Sequence, residues 1–423
     1  MLSKKLAIFI ALVSVLFLDI NKIYVKHDFE ESYKYRLCYF TTSTLSKLAN
    51  LVGTLNLVPE YKFLRDSIDY LSISGLNKSD QSVNIEFKNF NNVNVQIYRP
   101  NNNKNVSPLG VLIFIHGGCY FVRNLDSYDS LLSTIVKETN LLVISINYRL
   151  APEHPYPIPT DDCWNVVEYV LKNAQGLNIN PEKLILAGDS AGGNAAMVLS
   201  KRLAKEKKIK PLFQVLIYPW VQLAFTMPSS LGYKGGFISA LDITKAKLWY
   251  LGLNEVSAEM KAAITSNNHT LLLSEGEKNL IESYMDVNLI PDKYKIGKSY
   301  YDLYKNLPLF NTGTLDPNNI LVRDKNFADK VKMLFSEKVS PSLDSLDQLK
   351  YQPKTYQITC EWDSLKDEGL ILAERMKQAG VDVEMAFYED CFHGMITFSD
   401  ASLGFVGSKK IVENLILYIK KNI

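Results

Sequence analysis

Gly188-Asp189-Ser190-Ala191-Gly192 stands between a short apolar run, Leu184-Ile185-Leu186-Ala187, and an alanine-rich helical stretch from Ala195 to Leu203. As a bare G-x-S-x-G pattern it constrains little, because glycine and serine are common. Its context constrains a great deal. A strand that ends in a tight turn and opens directly into a helix needs small residues at 188 and 192, where backbones pass close, and it pushes Ser190 Oγ outward. The competing reading is an ordinary helix start capped by Asp189 or Ser190.

Other short, near-continuous apolar runs share this character: Val111 to Ile115, Leu141 to Ile146 and Phe213 to Tyr218. Such runs read as parallel strands buried on both faces. Helical stretches, Tyr128 to Thr139 and Cys163 to Lys172, alternate with them, which predicts an α/β sheet with right-handed crossovers. Val83 to Phe87 and Val93 to Tyr98 alternate apolar and polar residues, as a half-exposed hairpin does. Near the carboxy terminus the order is strand Thr355 to Thr359, helix Glu368 to Ala379, strand Val383 to Tyr388 and closing helix Val412 to Ile419. Residues 30–75 are helical, with apolar positions at Leu45, Leu48, Leu51 and Leu55. About 222–350 offers helical patches but no trustworthy strand, and a structureless loop of that size is implausible in a compact domain. The chain therefore divides into an amino-terminal segment (1–25), a helical cap portion (26–82), a sheet core in two parts (83–221 and 351–423) and an inserted cap subdomain (222–350).

Serine is a weak nucleophile and needs a base to take its proton. In the chain order Ser…Asp…His, only His269 and His393 lie downstream of Ser190. His269 sits in the polar run Ser266-Asn267-Asn268-His269-Thr270 and reads as a solvated loop residue. His393 follows a sheet strand and is the expected base. Glu361, Asp363, Asp367 and Glu368 all follow the strand ending near Thr359, and position alone does not choose the orienting acid among them. His116-Gly117-Gly118-Cys119 closes the first buried strand. There the N–H groups of Gly117, Gly118 and Cys119 can approach a developing oxyanion, with that of Ala191 from the elbow.

Taken together, the glycine turn, Asn147-Tyr148-Arg149-Leu150-Ala151-Pro152-Glu153, Gly188 to Gly193, Asp363-Ser364-Leu365-Lys366-Asp367-Glu368-Gly369 and Phe392-His393-Gly394 resemble the hormone-sensitive lipase group of α/β-hydrolases. Within that group the likeness is greatest to the arylacetamide deacetylase-like esterases. The resemblance implies an α/β-hydrolase fold, a mostly parallel central sheet flanked by helices with a helical cap, and a serine carboxylic-ester hydrolase working through an acyl-enzyme. It implies short-to-medium acyl esters, arylacetamides or acylglycerols as substrates, so the partner is a small-molecule or lipid ester. It assigns Asp363 as the acid of the triad Ser190, Asp363 and His393. The group usually has glycine where this chain has Cys119, and a φ above zero there would cost a non-glycine residue energy. Members also carry a cysteine a little after the glycine turn that bridges to the one before the acid. Cys360 matches the second and Cys119 lies two residues before the first, which makes Cys119–Cys360 a candidate disulfide. The alternative function is a ligand-binding receptor or lipid carrier that kept the fold and lost turnover.

The formal charge of +2 balances 47 basic against 45 acidic residues and leaves no case for a nucleic-acid partner. Five cysteines show no C-x-x-C spacing, and neither metal nor organic cofactor is implied. Lys4 and Lys5 precede an apolar run, Leu6 to Leu18, that with its extension to Val25 suits an uncleaved membrane anchor. Small residues suited to signal cleavage do not follow it. The similar family members are single-pass type II proteins with the catalytic domain in the endoplasmic reticulum lumen, a secreted protein being the alternative. Sequons at Asn77, Asn105 and Asn268 fit that side and are expected on surface loops.

Overall fold

Alternate residues of the central strands face opposite ways, and here both faces are apolar. In the computed structural model, which describes residues 29–74, 82–101, 108–224, 229, 240–295, 310–311, 313–399 and 404–423, Val111, Ile113 and Ile115 of β3 (Leu109–Ile115) enter one core cluster and Leu112 and Phe114 enter the other. Eight strands form one sheet. The others are β1 (Val83–Phe90), β2 (Val93–Pro100), β4 (Leu142–Asn147), β5 (Ile179–Asp189), β6 (Phe213–Ile217), β7 (Thr355–Trp362) and β8 (Val383–Phe392). Their order is β1-β2-β4-β3-β5-β6-β7-β8. Pairing is parallel from β4 through β8, while β2 runs antiparallel to both β1 and β4. This is the mostly parallel sheet expected from the apolar runs. The β1–β2 hairpin closes on Asn91 and Asn92, both at positive φ, as a two-residue turn with the strands' own twist requires.

Helices cover both faces. Two amino-terminal helices come first, α1 (Ser32–Thr54) and α2 (Glu60–Ser74), followed by α3 (Asp129–Thr139), α4 (Ile158–Lys172) and α5 (Ala191–Arg202). Between β6 and β7 the described residues contain no strand, and the helices of eight or more residues there are α6 (Ala240–Tyr250), α7 (Ala258–Thr265), α8 (Glu275–Tyr284) and α9 (Lys325–Lys332). α10 (Lys366–Gln378) and α11 (Val406–Asn422) complete the set. Trp164, Val166 and Val170 of α4 and Leu370 to Leu372 of α10 pack on one face of the sheet. Leu131, Ile135, Ile411 and Leu415, from α3 and α11, pack on the other.

The amino-terminal helices and the β6–β7 insertion meet above the carboxy ends of the strands. Lys245 of α6 pairs with Glu60 at the start of α2. Ser46 Oγ of α1 donates to Asp242 Oδ1 at 2.9 Å. Trp249 packs against Phe121 with ring centroids 4.7 Å apart, and Tyr250 stacks on Tyr120 at 4.2 Å. Arg65 ties α2 to the loops beneath it, donating to the carbonyls of Phe121 and Ala151 and, as a fork, to both carboxylate oxygens of Glu153.

Candidate active site

The carboxy ends of four neighbouring strands deliver the site residues. β5 ends at Asp189, and Ser190 holds φ at 53° before α5 begins. That conformation survives because the neighbours enforce it. A Cβ on Gly192 would lie 1.9 Å from the carbonyl oxygen of Ile115, and one on Gly188 would lie 2.4 Å from Gly192. The Ser190 N–H donates to the Ile217 carbonyl at 2.9 Å and fixes the turn against β6.

His393 follows β8 directly and Asp363 follows β7. Ser190 Oγ and His393 Nε2 are 3.0 Å apart, and His393 Nδ1 is 2.9 Å from Asp363 Oδ2. The other oxygen, Oδ1, accepts the Leu365 N–H at 2.8 Å. All three side chains are buried, and the imidazole lies against Tyr218 with centroids 4.7 Å apart. With Nδ1–H donating to Asp363, Nε2 is left to accept the Ser190 hydroxyl proton. The other three carboxylates considered from the sequence are used otherwise. Glu361 takes an ion pair from Lys366 at 3.1 Å, and Asp367 is buried in the first turn of α10. Glu368 accepts the N–H groups of Val221 and Gln222, and burial pushes its carboxyl well above the usual range.

The glycine turn departs from expectation at its first member. Gly117 was expected among the oxyanion donors, but its N–H donates to Asp189 Oδ1 at 2.7 Å. Tyr128 O–H donates to the second oxygen of Asp189 at 3.0 Å. Asp189 thus holds the turn against the elbow, a role unread in the sequence. Gly118 and Cys119 line the same cavity as Ser190 and His393, and Ala191 stands at the amino end of α5. The N–H groups of Gly118, Cys119 and Ala191 have no acceptor among the described residues. Cys119 has φ at 53°, the left-handed region in which a side chain is strained. Cys119→Gly is therefore expected to be more stable than Cys119→Ala by about 1 kcal/mol, as urea unfolding would measure. Equal stabilities would show that the turn relaxes.

Two further expectations are corrected. The candidate bridge Cys119–Cys360 does not form, and both thiols are free. The side chains belong to core clusters on opposite sides of the sheet, Cys119 with Val111 and Cys360 with Leu112, and the neighbour of Cys360 is Cys391. His269 is no solvated loop residue. The short turn Asn268–Leu272 tucks it fully inside, between the carbonyls of Ala224 and Ala263 and against Phe335. Burial outweighs those carbonyls and pushes its imidazole down to about 4 from the ordinary 6.5. Below pH 6.5 the unfolded chain takes up a proton that the folded chain refuses until about pH 4, so stability is lost as pH falls through that window. His116 is buried with the same depression and adds to the effect. The Tm of His269→Gln is expected to fall less steeply than that of the parent between pH 6.5 and 4, and parallel curves would contradict this. Of the sequons, Asn77 and Asn105 lie outside the described residues. Asn268 is half-buried, its side-chain oxygen accepting from Asn311.

The cavity above Ser190 has a volume of about 210 Å³ and is walled by Leu64, Ile68, Phe121 and Trp249 from the helices and loops above the sheet. Ser190, His393 and the free amides of Gly118 and Cys119 line one mostly apolar cavity, with Asp363 behind the histidine, and this arrangement can carry acyl transfer. A family model described as the alpha/beta hydrolase fold matches residues 112–272 and 311–397, more than half of the chain. The chain belongs to the α/β-hydrolase family. Among its curated relatives, arylacetamide deacetylase of Oryctolagus cuniculus is 30% identical over 79% of this chain and 80% of its own length. The Bos taurus arylacetamide deacetylase is 29% identical over 90% and 92%. Neutral cholesterol ester hydrolase 1 of Bos taurus is 26% identical over 93% of each. This α/β-hydrolase is also similar in fold to a Rhizomucor miehei esterase, with a TM-score of 0.59 at 22% identity over 86% of this chain and 90% of the other. Carboxyl esterase 2 of Tuber melanosporum superposes with a TM-score of 0.57 at 20% identity over 82% and 89%.

Proposed function

We propose that this α/β-hydrolase cleaves carboxylic esters of short-to-medium acyl chains, and arylacetamides or acylglycerols, through an acyl-enzyme on Ser190. The observation that carries the reading is the continuous chain Ser190 Oγ, His393 Nε2, His393 Nδ1, Asp363 Oδ2, with links of 3.0 and 2.9 Å. Ser190 Oγ attacks the acyl carbon as its proton passes to Nε2. The oxyanion so formed is met by the N–H groups of Gly118, Cys119 and Ala191, Gly117 being occupied. The tetrahedral species collapses, the C–O bond to the alcohol breaks, and His393 returns the proton to the leaving oxygen. Water, deprotonated by the same nitrogen, then releases the acid and restores Ser190. The names of the deacetylase and cholesterol ester hydrolase relatives support an acyl substrate. A cavity of about 210 Å³ supports modest chain length. Hydrolysis of p-nitrophenyl esters of increasing length tests this: a maximum at short or medium chains is expected, and no turnover at any length would overturn it.

For the whole chain the reading is a luminal type II protein of the endoplasmic reticulum. Its support is the apolar run Leu6 to Leu18 and the three sequons. Residues 1–25 lie outside the described residues, among which no helix is long and apolar enough to cross a membrane. In this arrangement residues 26–82 and 222–350 act as the cap. Protection from protease in sealed microsomes and a mass shift on glycosidase treatment are expected. Digestion of sealed vesicles with no mass shift would place the domain in the cytosol.

A further inference from the structure

One cation in the wall of the cavity is in no ion pair among the described residues. Arg123 lines it together with Ser190 and His393, and its φ is 84°, a conformation that side chains seldom adopt. Its stem runs over the glycine turn, since a Cβ added to Gly118 would lie 2.8 Å from Arg123 Cγ. No hydrogen bond or ion pair among the described residues engages its guanidinium. Other arginines of the protein are held. Arg65 grips Glu153, Arg149 makes a two-pronged bond to Asp162, and Arg375 donates to the carbonyls of Ser342 and Asp344. Lys245, the second cation in the cavity wall, is matched by Glu60.

The nearby carboxylates do not take this role from a ligand. Asp189 feels the Arg123 charge but already accepts from Gly117 and Tyr128. Asp69 feels it too, without coming within ion-pair distance. Asp242 accepts from Ser46. A guanidinium stays charged at any working pH and presents a planar fork of donors. Placed among Leu64, Ile68, Phe121 and Trp249, it is in surroundings that strengthen a charge-assisted bond to an entering anion.

We propose that Arg123 is a specificity-determining residue that receives an anionic group, carboxylate or phosphate, carried by the ester substrate. The proposal rests on the ester-hydrolase reading of this cavity and names the substrate class. Backbone strain beside a reacting centre fits a residue retained for its side chain.

Two matched pairs of esters test it on the full chain. The first compares the mono-p-nitrophenyl ester of glutaric acid with p-nitrophenyl butyrate, placing a carboxylate on the acyl side. The second compares 1-butyrylglycerol 3-phosphate with 1-butyrylglycerol, placing a phosphate on the alcohol side. In one arm at least, the kcat/KM ratio of anionic to neutral ester should fall about 10- to 100-fold in Arg123→Gln. Arg123→Lys should restore part of the ratio, and added salt should lower it in the parent. Arg123→Gly should lower the ratio while holding or raising Tm, because glycine suits the positive φ, which separates binding from a structural role. The arm that responds identifies the source of the anion. Ratios unchanged within twofold in both arms would overturn the proposal. Failure of the parent to hydrolyse either neutral ester would overturn the ester-hydrolase reading itself, and the proposal with it.

Discussion

Replacing Ser190 by alanine is expected to lower kcat for a p-nitrophenyl ester by roughly 10⁵- to 10⁶-fold, with Tm nearly unchanged. The variant loses one hydroxyl from an elbow whose geometry is imposed by other atoms: the Ile115 carbonyl packed on Gly192, and the Ser190 N–H donating to Ile217. Those constraints remain, so the fold remains. His393→Ala should cost about as much, and the double variant no more than either, because nucleophile and base act as one unit. What survives is the contribution of binding and of the free amides at Gly118, Cys119 and Ala191. A Ser190→Ala enzyme within tenfold of the parent would remove Ser190 from the chemistry.

The second large effect is that of Asp363→Asn, and its size follows from where the two oxygens point. Oδ1 accepts the Leu365 N–H and Oδ2 accepts from His393 Nδ1. An asparagine has one oxygen and one NH₂. Facing its NH₂ to Leu365 would set donor against donor in a buried site, so the oxygen stays there and the NH₂ turns to His393. The imidazole must then accept at Nδ1 and carry its proton on Nε2, where it cannot receive the Ser190 proton. A loss of about 10⁴-fold in kcat is expected, with little change in KM. A loss under tenfold would mean that Asp363 does not set the tautomer.

Much of this arrangement was legible in the sequence because the signals are local. Val111 to Ile115 and Leu184 to Ala187 are apolar at every position, and both lie in the sheet, buried on both faces. The glycines at 188 and 192 are forced by a clash that any strand–turn–helix of this kind creates. What was not legible is non-local. The engagement of the Gly117 N–H depends on Asp189, seventy-two positions away in the chain. His269 lies in five polar residues and reads as solvated, yet the carbonyl that receives its ring belongs to Ala224 on another segment. The resemblance pairs Cys119 with Cys360, but the turn after β3 carries Cys119 to one face of the sheet while Cys360 on β7 points to the other, which spacing alone does not reveal. The positive φ of Cys119 and Arg123 leaves no trace in composition, because neither residue type favours that region. The β6–β7 insertion is hard to bound from sequence because its helices α6 to α9 are short, eight to eleven residues each, and separated by irregular chain. Contacts such as Lys245–Glu60 define it better than any pattern.

The central claim is that Ser190 is a nucleophile activated by His393 and oriented by Asp363. Its most direct test is the intact mass of the protein after brief exposure to a fluorophosphonate, followed by peptide mapping. The account predicts a single phosphonyl adduct on Ser190 in the parent, none in Ser190→Ala, and much slower labelling in His393→Ala and Asp363→Asn, with folding unchanged in each. An adduct on another residue, or equal labelling rates in parent and His393→Ala, would contradict it.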